Sequence, residues 1–274
     1  MTYHHLAAVY DKLMKDAPYD KWLRWLEQQL AAEPAAPTGE SAASPGPEGR
    51  EVSLDAALRR AAAPLTIIEL GCGTGSISIP LAKRGYRVIG VDISPEMLAV
   101  AREKMRQART EVTWVEQDMR QLALAPADVV ISFCDSLSYL VEEAEVRQTF
   151  RRVYEHLRPG GRFLFDVHSP YQILNGFGEN TFTLLDREIS YIWQCVCDPL
   201  RLEVEHQLCF FLRQPDGLYR RLEEVHQQRA YQPAAMVSWL EEAGFADIVV
   251  TADFRHQPPQ PQSERLFYAA RKPR

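Results

Sequence analysis

The sequence predicts an α/β fold: a doubly wound, mostly parallel sheet interrupted by an antiparallel insert. Three observations predict it. Short apolar runs alternate with helical patterns between about residues 65 and 168. The first run, Ile67-Ile68-Glu69-Leu70, breaks into a loop with glycine at every second position, Gly71-Cys72-Gly73-Thr74-Gly75. From about 181 to 230 the apolar period changes to two, the pattern of half-buried antiparallel strands.

Residues 1–30 are aromatic-rich, with Tyr3, Tyr10, Tyr19, Trp22 and Trp25. Trp22, Leu23, Trp25, Leu26 and Leu30 recur at helical spacing, so this stretch reads as a helical cap over one end of the sheet. Tyr3 and Tyr10 are candidates to close over a ligand. Residues 31–63 read as a linker: Ala, Pro, Gly, Ser and Glu over 31–50, too poor in large apolar side chains to order themselves, then a weak helix at 52–60.

Parallel strands are expected at 65–70, 86–92, 111–116, 128–134 and 162–168, and helices at 76–84, 95–107 and 142–157. Ser94-Pro95-Glu96 starts a helix well: a hydroxyl N-cap, proline in the first turn, then an acid near the positive end. Val146, Phe150, Val153, Tyr154 and Leu157 line one face of the third helix, and Pro159-Gly160-Gly161 stops it. In the insert, Ile189, Tyr191, Trp193, Cys195 and Cys197 alternate on one strand, and Leu202, Val204, His206, Leu208, Phe210 and Leu212 on the next. Asp198-Pro199 and Pro215-Asp216-Gly217 supply turns, giving a three-stranded meander. A helix at 234–243 and strands at 246–253 and 264–272 return to the core. The core is thus 64–175 plus 233–274, and the insert 176–232.

Composition bounds the function. The chain has 274 residues, 46% hydrophobic, enough for one sizeable core. A net charge of −6 gives no general attraction to nucleic acid or anionic membrane. No apolar run approaches the ~20 residues of a membrane span, and no secretory h-region opens the chain. Five cysteines without framework spacing fit reduced thiols and a cytoplasmic location.

The chemistry centres on acids that end successive strands: Glu69, Asp92 and Asp118. Ligands of open α/β sheets bind outside the carboxyl ends of the strands. The loop reads G-x-G-x-G rather than the G-x-G-x-x-G of dinucleotide sites, and Glu69 beside it would repel a phosphate and suit a cationic group. Asp92 lies about twenty residues beyond the first loop glycine, where an acid accepts ribose hydroxyls. Asp118 with Met119 suits the amino group and ring face of an adenine. Any one acid alone is an ordinary solvated strand end; three in register with a glycine loop make a site.

The Glu-Leu-Gly-Cys-Gly-Thr-Gly loop, Val-Asp-Ile-Ser at 91–94, Gln-Asp-Met at 117–119 and Leu-Arg-Pro-Gly-Gly at 157–161 resemble the motif series of class I S-adenosylmethionine-dependent methyltransferases. Three further segments resemble the YqeM-type bacterial methyltransferases: Tyr10-Asp11-Lys12-Leu13-Met14 with Pro18-Tyr19, residues 133–140, and Asp166-Val167-His168-Ser169-Pro170-Tyr171. The proline-rich 35–47 is an insertion relative to that pattern. The resemblance implies a Rossmann-like sheet of order 3-2-1-4-5-7-6 with strand seven antiparallel. It also implies S-adenosylmethionine as methyl donor and S-adenosylhomocysteine as product; no metal is expected. Gly71, Cys72, Gly73 and Gly75 would approach the methionyl part, Glu69 its ammonium, Asp92 the ribose, Ile93 the adenine face, and Asp118 and Met119 the adenine edge and face. Tyr10, Met97 and Cys134 complete the expected contacts, with Cys134-Asp135-Ser136 bordering the sulfonium.

An acceptor that must lose a proton needs a base, and the candidates at this edge are Asp135, Tyr139 and His168. Tyr139 serves equally as the first packing residue of the next helix, and a lone histidine such as His168 is commonly a structural hydrogen-bonding group. The insert reads as a lid over a small-molecule acceptor or as a homodimer contact. Cys195, Cys197, Cys209 and His206 lack metal-ligand spacing and read as packing. The rival readings are an RNA methyltransferase, suggested by Arg147, Arg151, Arg152, Arg158 and Arg162; a cofactor-binding module without turnover; and a nicotinamide dehydrogenase, against which the loop spacing, Glu69 and Asp118-Met119 argue.

Overall fold

The computed structural model describes residues 7–31 and 64–274; Tyr3, the linker stretch beyond Ala31 and its 52–60 helix lie outside the described residues. In chain order the elements are α1 (Ala7–Leu13), α2 (Tyr19–Ala31), β1 (Thr66–Leu70), α3 (Ser78–Lys83), β2 (Arg87–Asp92), α4 (Pro95–Ala108), β3 (Thr113–Glu116), β4 (Ala127–Ser132), α5 (Glu143–Glu155) and β5 (Leu157–His168). There follow β6 (Thr181–Leu184), β7 (Ile189–Asp198), β8 (Glu203–Arg213), β9 (Tyr219–Arg229), α6 (Pro233–Glu242), β10 (Ala246–Ala252) and β11 (Arg265–Arg271).

The main sheet runs β10-β11-β5-β4-β1-β2-β3. Neighbours from β3 to β5 pair in parallel, and β11 pairs antiparallel with both β5 and β10. Counting core strands alone, this is the order 3-2-1-4-5-7-6 that the resemblance implied. Chain direction of travel reverses between β1 and β4, which opens a crevice at their carboxyl ends.

Period-two alternation explains how one sheet serves two cores. Ile68, Leu70, Val130, Phe163 and Phe165 point to one face and meet Phe150 and Val153 of α5 with Trp239 and Leu240 of α6. Ile67, Val129, Ile131 and Leu164 point to the other and meet Trp22, Trp25 and Leu26 of α2 with Ile79 and Leu81. The near-continuous apolar strands follow from burial on both faces. The Ser94 cap forms as expected, its hydroxyl accepting the Met97 N–H at 3.2 Å.

The insert has four strands where the sequence predicts three: its order is β6-β7-β8-β9. The added strand is four residues, Thr181–Leu184, with one half-buried ring, Phe182, set 4.9 Å from Trp193. Its alternation belongs to the period of two that starts near 181, but four residues with two apolar side chains are too short to stand out as a strand of their own. A second difference follows α5, where residues 157–161 do more than end the helix: they begin β5. The carbonyl of Gly161 accepts the Lys272 N–H, tying the C-terminal strand in. One face of the insert covers Ile173 and Phe177 through Cys195, Val204 and Ala230. Further along, Phe210 and Leu222 pack on Tyr10 and Leu13, so α1 lies against the insert at the carboxyl edge of the main sheet.

Candidate active site

The carboxyl ends of β1 to β4 surround a cavity of about 300 Å³, the lower end of the ~300–1,000 Å³ usual for small-molecule sites. Each strand contributes to the wall: Glu69 in β1 with Gly71, Cys72 and Gly73 after it, Asp92 ending β2 with Ile93 and Met97 after it, Asp118 and Met119 after β3, and Phe133, Cys134, Ser136 and Tyr139 after β4. Tyr10 and Tyr19 close it from the N-terminal helices.

Two glycines show why the loop is bare. Gly71 has φ +67°, and a Cβ built there would lie 2.6 Å from the Ser136 Cβ and Oγ. At Gly73, with φ +51°, a built Cβ meets nothing within 4 Å, so its backbone faces open cavity. Gly75 is placed differently from expectation. It is not on the wall; a Cβ there would strike the Trp114 ring at 2.5 Å, so Gly75 lets the loop pack against Trp114 of β3.

The acids differ in state. Burial pushes the Glu69 carboxyl up to about 8, against the Ser78 hydroxyl that donates to it. Burial also raises Asp92, although Gly73 N–H donates to it at 2.7 Å and Ser94 N–H at 2.9 Å. Those bonds fix the carboxylate across the mouth of the glycine loop while leaving lone pairs for hydroxyl donors. Asp118 is already engaged: Arg120 donates to both its oxygens and holds it below the usual carboxylate range. Ile93, 62% exposed, is an apolar side chain at the cavity rim, as a planar base requires. A bare backbone, two carboxyls raised by burial and an apolar rim fit S-adenosylmethionine, which carries an ammonium and a carboxylate, a sulfonium, a ribose and an adenine.

Of the three candidate bases, Tyr139 is on the wall and Asp135 and His168 are not. They belong to a network behind it. His168 Nε2 lies 3.3 Å from Asp135 Oδ2, Arg265 donates to Asp135 Oδ1 at 2.9 Å, and Arg265 also pairs with the fully buried Asp166. Burial works against ionised Asp135, yet the His168 and Arg265 charges hold it well below the usual range. A carboxylate so stabilised is a poor base. Burial raises Asp166 despite Arg265; it accepts from Trp22 Nε1 at 2.8 Å and from the Cys134 N–H at 2.9 Å. Trp22 is therefore more than a packing residue of the cap.

Sequence reasoning missed Arg265, Asp166, Gln228 and His226. Asp166 and Arg265 carried one signal, a charge inside an apolar strand; His226 and Gln228 sat in a polar run that hid their inward face. The cap is latched to the loop: Thr74 Oγ1 donates to Asp11 at 2.6 Å, and Lys104 pairs with Asp11 at 2.7 Å while donating to Thr74 and Ser76 at 3.1 Å. In the insert, Cys195 is buried in an apolar cluster as packing requires.

Comparison with known proteins places this geometry. Residues 67–161 match a family model described as a methyltransferase domain. The chain is 41% identical to the "Putative methyltransferase GWCH70_2453" of Geobacillus sp. (strain WCH70), covering 99% of this chain and 100% of that one. It is 38% identical to the "Putative methyltransferase YqeM" of Bacillus subtilis (strain 168), covering 99% and 98%. Among solved structures, an S-adenosylmethionine-dependent methyltransferase from Clostridium acetobutylicum superposes with a TM-score of 0.79 at 24% identity, covering 99% of each chain, and so shares the fold. With its strand order, its cavity and these full-length relatives, the chain belongs to the S-adenosylmethionine-dependent methyltransferases.

Proposed function

We propose that the acceptor is a small molecule, uncharged or cationic, held between the glycine loop and the inserted sheet. The observation that carries this reading is the state of the cations. Among the described residues, those near the cavity are committed to carboxylates: Arg120 to Asp118 and Glu145, Lys104 to Asp11, and Arg265 to Asp135 and Asp166. A phosphate or carboxylate on the acceptor meets no spare positive charge among the described residues, while the rings of Tyr10, Tyr19 and Tyr139 favour neutral or cationic groups. That weighs against an RNA backbone, which needs free Lys and Arg.

S-adenosylmethionine supplies a methyl group already activated on a sulfonium. The protein's work is therefore alignment and exclusion of water, and orientation of two reactants contributes as much as ~7–11 kcal/mol. Glu69 holds the ammonium, Gly71 and Gly73 the methionyl backbone, Asp92 the ribose hydroxyls, and Ile93, Met97 and Met119 the adenine. Tyr10, Cys134 and Ser136 border the reacting end, with α1 and the insert as the lid. The test is transfer of labelled methyl into a fractionated bacterial extract. Label is expected in the small-molecule fraction; label confined to RNA, or none at all with S-adenosylmethionine bound, overturns the reading.

A further inference from the structure

We propose that Tyr139, His226 and Glu224 form a proton relay that receives the acceptor's proton, so that the accepting group is an N–H or O–H and not a carboxylate. This rests on the methyl-transfer reading above. Tyr139 is on the cavity wall, in the turn Ser136–Tyr139 that follows β4. Its hydroxyl lies 3.2 Å from His226 Nδ1, and His226 Nε2 lies 3.1 Å from Glu224 Oε2. The His226 and Glu224 side chains are only 4% and 8% exposed. Period two along β9 puts both on the inward face of the insert.

The polarity follows from the donors. A carboxylate beside Nε2 accepts its proton, which leaves Nδ1 as a lone pair facing the phenol. This is the logic of a hydroxyl, a base and an orienting acid. In the transfer, the acceptor's lone pair forms the new bond to the methyl carbon and the C–S electron pair stays on sulfur. The acceptor's proton passes to the Tyr139 oxygen as the phenolic proton moves to His226 Nδ1, and Glu224 neutralises the imidazolium. A carboxylate acceptor arrives without a proton and gives such a relay nothing to do.

Among the described residues, the titratable groups beside His226 include Glu224 on its own strand, Tyr139 from the turn, and His206 opposite it on β8, which itself senses Asp135 and His168. Burial keeps His206 neutral, and its Nδ1 is taken by Trp193 Nε1 at 3.1 Å. It therefore offers no competing route for the proton.

The experiment compares the full chain with Tyr139→Phe, His226→Asn and Glu224→Gln, using labelled S-adenosylmethionine and the extract fraction that accepts label. Asn keeps an acceptor near the Nδ1 position but no basicity. Expected are a kcat lowered by about 10²-fold or more in H226N, loss of the rising limb of the kcat–pH profile, S-adenosylmethionine affinity within threefold of the parent, and a methyl product stable to mild alkali. Nitrogen-15 NMR of the resting protein gives a readout independent of turnover. His226 should carry its ring proton on Nε2, and Tyr139→Phe should shift its Nδ1 resonance. An alkali-labile methyl ester, an H226N profile matching the parent, or a ring proton on Nδ1 in place of Nε2 overturns the relay while leaving methyl transfer standing. A parent chain that transfers no label overturns both.

Discussion

Burial raises the Glu69 carboxyl to about 8, so at pH 6 the chain without ligand carries a proton there. A bound cation favours the ionised form, so the complex holds fewer protons than its separated parts. Affinity for S-adenosylmethionine should then rise with pH, with a slope of log affinity approaching one per pH unit between pH 5.5 and 7, because one proton leaves on binding. Calorimetry in two buffers of different ionisation enthalpy checks this, and a flat profile with no proton release sinks it. Glu69→Gln should bind more weakly and abolish the slope. Gly71 gives a steric counterpart. Alanine there needs φ +67° and a Cβ 2.6 Å from Ser136, which also donates to the Gly71 carbonyl at 3.2 Å. The expected loss is about 1–3 kcal/mol in urea unfolding, part of it recovered by adding Ser136→Gly.

Among the elements, α2, the turn after β4, and β11 are joined through one side chain, Asp166 of β5. Trp22, Cys134 and Arg265 all donate to it, and Arg265 lies 5.2 Å over the Trp22 ring. Trp22→Phe keeps most of the ring and removes one donor to a buried carboxylate, an expected cost of roughly 1.5–3 kcal/mol. Arg265→Met leaves Asp135 and Asp166 without their shared cation, an expected ~3–5 kcal/mol. Urea unfolding of both variants checks the order, and equal effects would mean that the network adds nothing beyond the single bond. The boundaries of such elements were legible where local chemistry sets them, as in the Ser94 cap. They were not where tertiary pairing sets them. Thr181-Phe182-Thr183-Leu184 alternates but is too short to read as a separate strand, and its order comes from pairing with β7. Asp166 and Arg265 stand 99 positions apart and meet only through the β5–β11 pairing. The cavity wall was legible because strand ends and glycines are local signals. The layer behind it was not, and for that reason Asp135 and His168 read as bases when they are held in an ion network.

In the whole molecule, the insert, the cap and the core meet at one edge, and a chain of hydrogen bonds crosses that junction. Trp193 Nε1 donates to His206 Nδ1, His206 Nε2 faces Gln228 Oε1 at 3.2 Å, and Gln228 Nε2 donates to Asp135 Oδ2 at 3.0 Å. Each link has one polarity only, which requires His206 neutral with its proton on Nε2. Burial lowers its pKa to about 4, against an unfolded value near 6.5. Between those values the unfolded chain binds a proton that the folded chain refuses. Stability therefore rises with pH across that window and falls as the solution is acidified through it, by up to about 3 kcal/mol from this one group. The loss should be local, since His206 packs on Phe177 and Trp193 of the insert and its footing. Hydrogen exchange at pH 5 should thus show β7 to β9 losing protection relative to pH 7 while β1 to β5 keep theirs. His206→Gln, which cannot take up the proton, should flatten that dependence. Equal pH sensitivity in variant and parent, or uniform loss across both sheets, would place the acid response elsewhere and break the link between the insert's protonation and its seating on the site.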